Sequence, residues 1–531
     1  MVRVYGFDHV HDRPARELAD LLGGKGSGLA EMTTALGLNV PPGFTVTMPV
    51  CQEYLSGGWP SALDEELDHH LDRLAGIMGR RFGDAGDPLL LAVRSGAPIS
   101  MPGMLDTVLD LGLNEETVRG LAAASGDEVF ALDSQRRFLC MFATTVMGVA
   151  DAALPRVHGL EEVGALRRHV EDLQVRIREI AGRPVPTDPR EQLRQAVEAV
   201  FRSWNSPRAQ AYRAHEGIDG ALGTAVNVQA MVFGNRGPDS GTGVVFTRDP
   251  ATGAPGPYGD YLPRAQGEDV VAGTATTLPV ARLADHDPRA YAELIETLRT
   301  LEVHYRDVCD VEFTVEEGRL WLLQTRIGKR GAVAAVRVAV DLVDDPDIAL
   351  TVREALDRVP ASVRAKARAE ILARTAQHDG AAPLLAAGLG ASPGRACGRV
   401  VLTAEEAADA EDDVILVRQE TSPEDVAGMA ASVGVLTTRG GLVSHAAVVA
   451  RGWGIPAVVG ADQLVVDDTA LRTADGREVR AGEIITIDGS TGCIWLGEVS
   501  GAASVEVDID QHLPHLRRLE EWARTSQGAP A

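Results

Sequence analysis

The chain has 531 residues, of which 45% are apolar and 24% charged, with a formal net charge of -25. That length favours two or three domains with separate cores, and no apolar run approaches the roughly eighteen residues of a membrane helix. The acidic balance opposes nonspecific attraction to nucleic acid or anionic lipid, so an anionic substrate would have to be held in a local cationic pocket.

From the amino terminus, MVRVYGFDHVHDRPARE is too charged to be the apolar centre of a secretory signal, and a cytoplasmic protein is expected. Residues 1–340 alternate glycine loops, β-branched runs and helical stretches, as in a large mixed α/β domain with a helical insertion over about 110–205. Residues 341–383 read as charged helices ending at Gly380 and Pro383, a connector. Over 384–500 short strands such as VILV, GVLTT and IITIDG recur around one helix, a second compact domain. Residues 501–531 suggest a terminal helix and a frayed tail. The five cysteines (Cys51, Cys140, Cys309, Cys397 and Cys493) have neither metal-knuckle spacing nor a disulfide framework, and read as packing residues.

The segment LLGGKGSGLAEM fails the Walker pattern, which would need glycine at Ala19 and Ser or Thr at Gly26, and no glycine cluster completes a dinucleotide fingerprint. Consecutive glycines let backbone N–H groups approach an anion, and Lys25 adds a mobile charge; a surface turn with a snorkelling lysine is the alternative. Arg94 ends the apolar run LLLAV just before a turn, which roots its guanidinium fork on a rigid element. In NRGPDSGTGVVFTRDP, Gly241, Thr242 and Gly243 suit a loop folded over phosphates.

DVCDVEFTVEEGRLWLLQTR reads as a hairpin. A three-residue loop at 317–319 would set Glu312 opposite Gln324 and Asp310 opposite Arg326 on one face. Carboxylate and amide oxygens so placed suit magnesium, which takes its other ligands from water and phosphates, and Arg326 would neutralise a transferred group. An exposed polar face over a Val311, Phe313 and Leu323 core is the alternative.

In GGLVSHAAVVARGWG a helix is expected to start at Ser444 or its neighbour and to stop at Gly452, which sets His445 in the first turn. There the unpaired N–H groups and the helix dipole favour a negative group, and a neutral imidazole is a nucleophile able to carry a phosphoryl group onward. A structural histidine is the alternative; metal ligation is disfavoured by the absence of a nearby partner at ligand spacing.

Taken together and in this order, GGKGSGLAEM, VRSGAPISMPGMLDTVL, FRSWNSPRAQAYR, VFGNRGPDSGTGVVFTRDPATG, AQGEDVVAG, DVEFTVEEGRLWLLQTR and GGLVSHAAVVARG resemble the pyruvate, phosphate dikinase and phosphoenolpyruvate synthase family. The resemblance implies a multidomain α/β and α+β chain, with an ATP-grasp nucleotide-binding domain followed by a swivelling β/β/α phosphohistidine domain. It implies ATP as substrate, contacted at its phosphates by Lys25, Arg94 and Arg326, with Glu268, Asp310, Gln324, Gly241, Thr242 and Gly243 also in the nucleotide site. It further implies Mg2+ on Glu312 and Gln324, and His445 as the phosphorylated residue, with Arg94 and Arg326 assisting transfer. In the family ATP yields AMP and a pyrophosphorylated histidine, and inorganic phosphate then removes the outer group as pyrophosphate.

Two departures stand out. About thirty residues follow CIWLGEVSG, against roughly 200 for a pyruvate-binding barrel, so acceptor chemistry is expected from a separate barrel protein or a small molecule. Val443 stands where the dikinase pattern has a threonine associated with regulatory phosphorylation, so that regulation is not expected. A dedicated phosphotransferase for a specialised metabolite and a non-catalytic nucleotide-binding regulator are the competing functions. The choice between phosphate and water as second acceptor stays open, as does the oligomeric state, a homodimer included.

Overall fold

The computed structural model describes residues 2–99, 101–155, 162–271, 277–375, 383–467, 469–473, 476–499 and 509–527. The chain divides into two compact units: Met1–Arg236 with Trp321–Gln324, and Gly237–Leu320 with Thr325–Ala531. Among the described residues no helix is long and apolar enough to cross a membrane.

The first unit is built on an antiparallel sheet of β1 (Val4–Gly6), β2 (Gly43–Val46), β3 (Leu91–Gly96), β4 (Thr107–Leu111) and β5 (Ala225–Ala230), in the order β1-β2-β5-β3-β4. The central strand β5 is buried along its whole length, as expected of a strand covered on both faces. Its Asn227 accepts a hydrogen bond from Thr45 Oγ1 at 2.8 Å. Between β4 and β5 the chain is mainly helical, with helices Glu115–Ser125, Glu128–Thr145, Val163–Ala181 and Pro189–Ser203. Capping by Asn114, Asp127 and Asp188 sets three of these starts, each carboxylate or amide oxygen accepting from a first-turn N–H. In Val163–Ala181, Leu166, Val170, Leu173 and Ile177 recur at four- and three-residue intervals and form the buried stripe.

The second unit carries two larger sheets. One contains β6 (Gly241–Arg248), β7 (Pro255–Pro263), β8 (Leu278–Pro279), β9 (Cys309–Glu316) and β10 (Arg319–Ile327), in the order β8-β7-β6-β9-β10. The turn into β10 is Glu317–Gly318, two residues with φ of 48° and 77°, rather than the expected three-residue loop. Paired left-handed residues match the twist of a hairpin, and a glutamate had concealed the first of them. A two-residue turn removes the register on which the expected facing of Glu312 with Gln324 and of Asp310 with Arg326 rested, but the long Arg326 side chain still reaches Asp310, with Nε donating to Oδ2 at 2.6 Å.

The other sheet has eight strands: β11 (Leu384–Ala387), β12 (Leu389–Ser392), β13 (Arg395–Val401), β14 (Val414–Arg418), β15 (Gly434–Thr437), β16 (Ala457–Val459), β17 (Ile484–Asp488) and β18 (Cys493–Leu496). Its order is β11-β18-β17-β13-β14-β15-β16-β12. The run β13-β14-β15-β16 is parallel and the flanks are antiparallel. Parallel neighbours need crossovers, and the one from β15 to β16 contains the helix that begins at His445.

The expected connector contains α1 (Ala332–Asp344), α2 (Val352–Arg358) and α3 (Ala361–Thr375); its glycine end at Gly380 lies outside the described residues, as does the tail after 527. Helices α4 (Val426–Ala431) and α5 (His445–Trp453) lie in the crossovers of the eight-stranded sheet, and the terminal helix α6 (Pro514–Gln527) packs Leu516 and Leu519 into the same apolar cluster as Val336, Val340, Ile348 and Val359. Arg518 pairs with Asp344, and Arg368 Nη2 donates to Glu520 at 2.7 Å.

Candidate phosphoryl-transfer site

In the first unit the GGKG segment is helical. Helix Ala19–Thr34 is broken at Gly23 (φ 68°, ψ 165°), so Lys25 starts a fresh turn there. A Cβ on Gly23 would lie 1.6 Å from the Gly96 carbonyl oxygen, and one on Gly26 would lie 2.7 Å from Thr45 Oγ1. These glycines let the helix start lie against β3 and β2, a packing role that leaves Lys25 half-buried beside Gly96. Arg94, half-buried on β3, donates from Nη1 to the Leu323 carbonyl at 3.2 Å. Gln324 belongs to this unit and is buried.

In the second unit Gly241, Thr242 and Gly243 lie in β6, not in a loop. The glycines make room for aromatic rings: a Cβ on Gly241 would meet Tyr261 at 2.4 Å, and one on Gly243 would meet Phe313 at 2.6 Å. Thr242 is buried, and its hydroxyl donates to the Phe313 carbonyl at 3.0 Å. Glu268 starts the short helix Gly267–Val271 and is half-buried.

Asp310 and Arg326 form the centre of this half, with Glu312 Oε1 3.7 Å from Arg326 Nη2. Burial opposes charge on Arg326, yet Asp310 and Glu312 raise its pKa overall. The second carboxylate oxygen of Asp310 is buried with no hydrogen-bond partner among the described residues. An orphaned carboxylate oxygen beside Glu312 is a donor set that suits a hard cation such as magnesium. No group of three or more His, Cys, Asp or Glu side chains suited to a metal occurs among the described residues.

The histidine stands on α5, the helix His445–Trp453. Ser444 occupies the cap position without a side-chain cap bond, and the helix runs on to a left-handed Gly454, two residues past the expected stop at Gly452. Gly454, not Gly452, adopts the left-handed turn that ends this helix, with φ of 68°.

His445 is 8% exposed and Ser444 is 4% exposed. His445 Nδ1 and Thr421 Oγ1 are 3.0 Å apart. His445 Nε2, Ser444 Oγ and Glu420 Oε2 are each buried without a hydrogen-bond partner among the described residues. All four side chains line one pocket, with the exposed Arg439 at its rim. Burial depresses the His445 pKa to about 4, against the opposing pull of Asp425 and Glu424, so the ring is neutral at physiological pH. In the tautomer whose Nδ1–H donates to Thr421 Oγ1, the lone pair lies on Nε2.

The loop before His445 is tied to β7. Asp260 Oδ2 accepts from the Val443 N–H at 3.2 Å, and a Cβ on Gly441 would lie 2.3 Å from that same oxygen. Burial raises the Asp260 pKa, although the N–H groups of Val443 and Leu442 and the Thr277 hydroxyl work against the shift. Val443 is buried in a cluster with Val244 and Phe246 of β6. Arg451, buried in the second turn of α5, donates to the carbonyls of Ala391 and Leu442 and lies 5.5 Å over the Phe246 ring.

Thr421, Glu420 and Asp260 were not singled out from the sequence. ETSPED resembles an ordinary turn and helix start, and nothing local in PYGDYL marks its aspartate as the partner of a loop more than 180 residues later.

Two family models match this chain. Pyruvate phosphate dikinase, AMP/ATP-binding domain, matches residues 19–75 and 59–279, and PEP-utilising enzyme, mobile domain, matches residues 410–492. The chain is 47% identical over 518 residues to pyruvate, phosphate dikinase 1, chloroplastic, of Oryza sativa subsp. japonica, covering 93% of this chain and 54% of the relative. It is 47% identical over 518 residues to the chloroplastic pyruvate, phosphate dikinase of Flaveria pringlei, covering 93% and 53%. Against the pyruvate, phosphate dikinase of Rhizobium meliloti (strain 1021) it is 46% identical over 529 residues, covering 93% and 58%. The chain thus spans about half the length of the curated relatives it matches.

Proposed function

We propose that this chain, which belongs to the pyruvate, phosphate dikinase family, performs the ATP-dependent loading of His445 in a dikinase reaction. The Nε2 lone pair attacks the β-phosphorus of ATP; the N–P bond forms as the bond from that phosphorus to the α–β bridging oxygen breaks, and AMP leaves with the electron pair. An oxygen of inorganic phosphate then attacks the outer phosphorus; the new P–O bond makes pyrophosphate as the bond from that phosphorus to the bridging oxygen breaks, and the electron pair stays on the one phosphoryl group left on Nε2. The final acceptor is pyruvate or another small molecule, held by a separate barrel protein or taken directly from solution.

Lys25, Arg94 and Arg326 neutralise the phosphates, and Glu268, Asp310 and the strand residues Gly241, Thr242 and Gly243 complete the nucleotide site. Glu312 and Gln324 would hold Mg2+, which when bound offsets charge on the triphosphate. Thr421 is a positioning residue: its hydroxyl oxygen accepts a hydrogen bond from Nδ1–H, which fixes the tautomer and stabilises the ring as positive charge develops on it.

The observation that supports this reading most directly is the state of His445, with Nδ1 held by Thr421 and Nε2 buried, unpartnered and neutral at the start of a helix. Incubation with magnesium and ATP labelled at the β-phosphorus is expected to put acid-labile label on the protein, and His445→Asn to abolish it. Label found only in free phosphate, or retained by the variant, would overturn the proposal.

A further inference from the structure

The pocket around His445 contains a feature that nucleophilic attack does not use. Glu420 Oε2 is buried without a hydrogen-bond partner among the described residues, in the same pocket as Nε2 and the equally unpartnered Ser444 Oγ. Such groups are uncommon, because an unmet acceptor costs free energy that a bond elsewhere would recover. Nothing in attack on ATP needs a carboxylate here, since Nε2 already holds its lone pair and Thr421 holds the proton on Nδ1.

Once Nε2 carries a phosphoryl group, the same pocket holds several negative oxygens. Ser444 Oγ–H, 96% buried by its 4% exposure, is then a donor with an acceptor to meet. The first-turn N–H groups of α5 and the rim cation of Arg439 attract those oxygens as well. Glu420 does the opposite, since its carboxylate repels them. Asp425 and Glu424 also act on the ring as negative charges, Asp425 while paired with Arg418 at 3.3 Å.

We infer that this pocket is a balanced phosphoryl subsite, in which Ser444 and Arg439 hold the group on His445 while Glu420 opposes it and keeps it transferable. A carrier bound only by attraction would sink into its loaded form; one lacking attraction would not load. Opposed charges leave the loaded and unloaded forms close in free energy, as a reversible carrier requires. The inference rests on the proposed loading of His445 and concerns the set point of that step.

The two charges give opposite, measurable signs. Full-length protein is equilibrated with magnesium, ATP and increasing AMP, without phosphate, and the two-phosphate adduct is quantified by intact mass. For Glu420→Gln the AMP-to-ATP ratio that half-empties the carrier is expected to rise on the order of tenfold, and for Arg439→Gln to fall by a similar factor. Ser444→Ala is expected to lower it severalfold. Thermal unfolding of each variant checks the fold, and Glu420→Asp, which keeps the charge, is expected to stay nearer to wild type than Glu420→Gln. Unchanged ratios, or a lower ratio for Glu420→Gln, would overturn the balance while leaving His445 loading intact. A wild-type chain that takes up no adduct would overturn both.

Discussion

The two charged regions of the second unit are organised in opposite ways. At the hairpin β9–β10, Arg326 is bonded to Asp310 and lies close to Glu312, so the cation meets acceptors of its own before any substrate arrives. In the His445 pocket three polar atoms from three residues are buried with no partner among the described residues. The paired region has its geometry fixed by neighbours and is suited to holding a ligand in register. The unpaired one retains unmet bonding capacity, which a group arriving on Nε2 can satisfy.

The comparison can be broken first at the paired end. Arg326→Met would leave Asp310 as a buried carboxylate without its cation and remove charge from the phosphate site. Loading measured by rapid quench is expected to fall at least ~100-fold. Because breaking a buried pair is costly, the variant should also unfold at lower denaturant, by a few kcal/mol at most given the partial exposure of Arg326. If Arg326→Met loads normally, the hairpin is structural and the contrast fails.

A smaller effect is expected at Thr421. Thr421→Val keeps the shape but frees Nδ1, and loading should slow by about tenfold as the ring loses its preferred tautomer. Thr421→Ser should restore most of the rate. A positioning role also predicts altered 15N shifts of the His445 ring in the valine variant, which a purely packing role would leave in place.

The smallest effect is an expected absence of change. The reactive ring is the neutral one, and burial lowers its pKa to about 4, so loading should stay level as pH falls through 6.5 and decline only toward 4. The same sign makes the folded state bind this proton less readily than the unfolded one, so acid costs stability between those two values. A loading profile that halves near 6.5 would show a ring more exposed than the structure has it.

The parts of this arrangement that were legible in sequence are those with a local period or a local motif. Alternation in DVEFTVEEGRLWLLQTR marked the hairpin, and the SHAAVVAR run marked the helix at His445. Misreadings came where one residue type serves two purposes. Gly241 and Gly243 looked like a phosphate loop but are strand positions cleared for Tyr261 and Phe313, a requirement set by rings distant in sequence. Glu317 takes a left-handed φ that its identity does not announce. Thr421 and Asp260 meet the histidine loop only through tertiary contact, which no local spacing encodes.

Helix α6 bears on how the eight-stranded sheet is tethered. Leu516, Leu519, Arg518 and Glu520 fasten the helix that follows the sheet in sequence to α1 and α3, which precede it. The described residues on the two flanks of the sheet therefore share one anchor, and a substitution that loosens α6 removes contacts from both flanks at once.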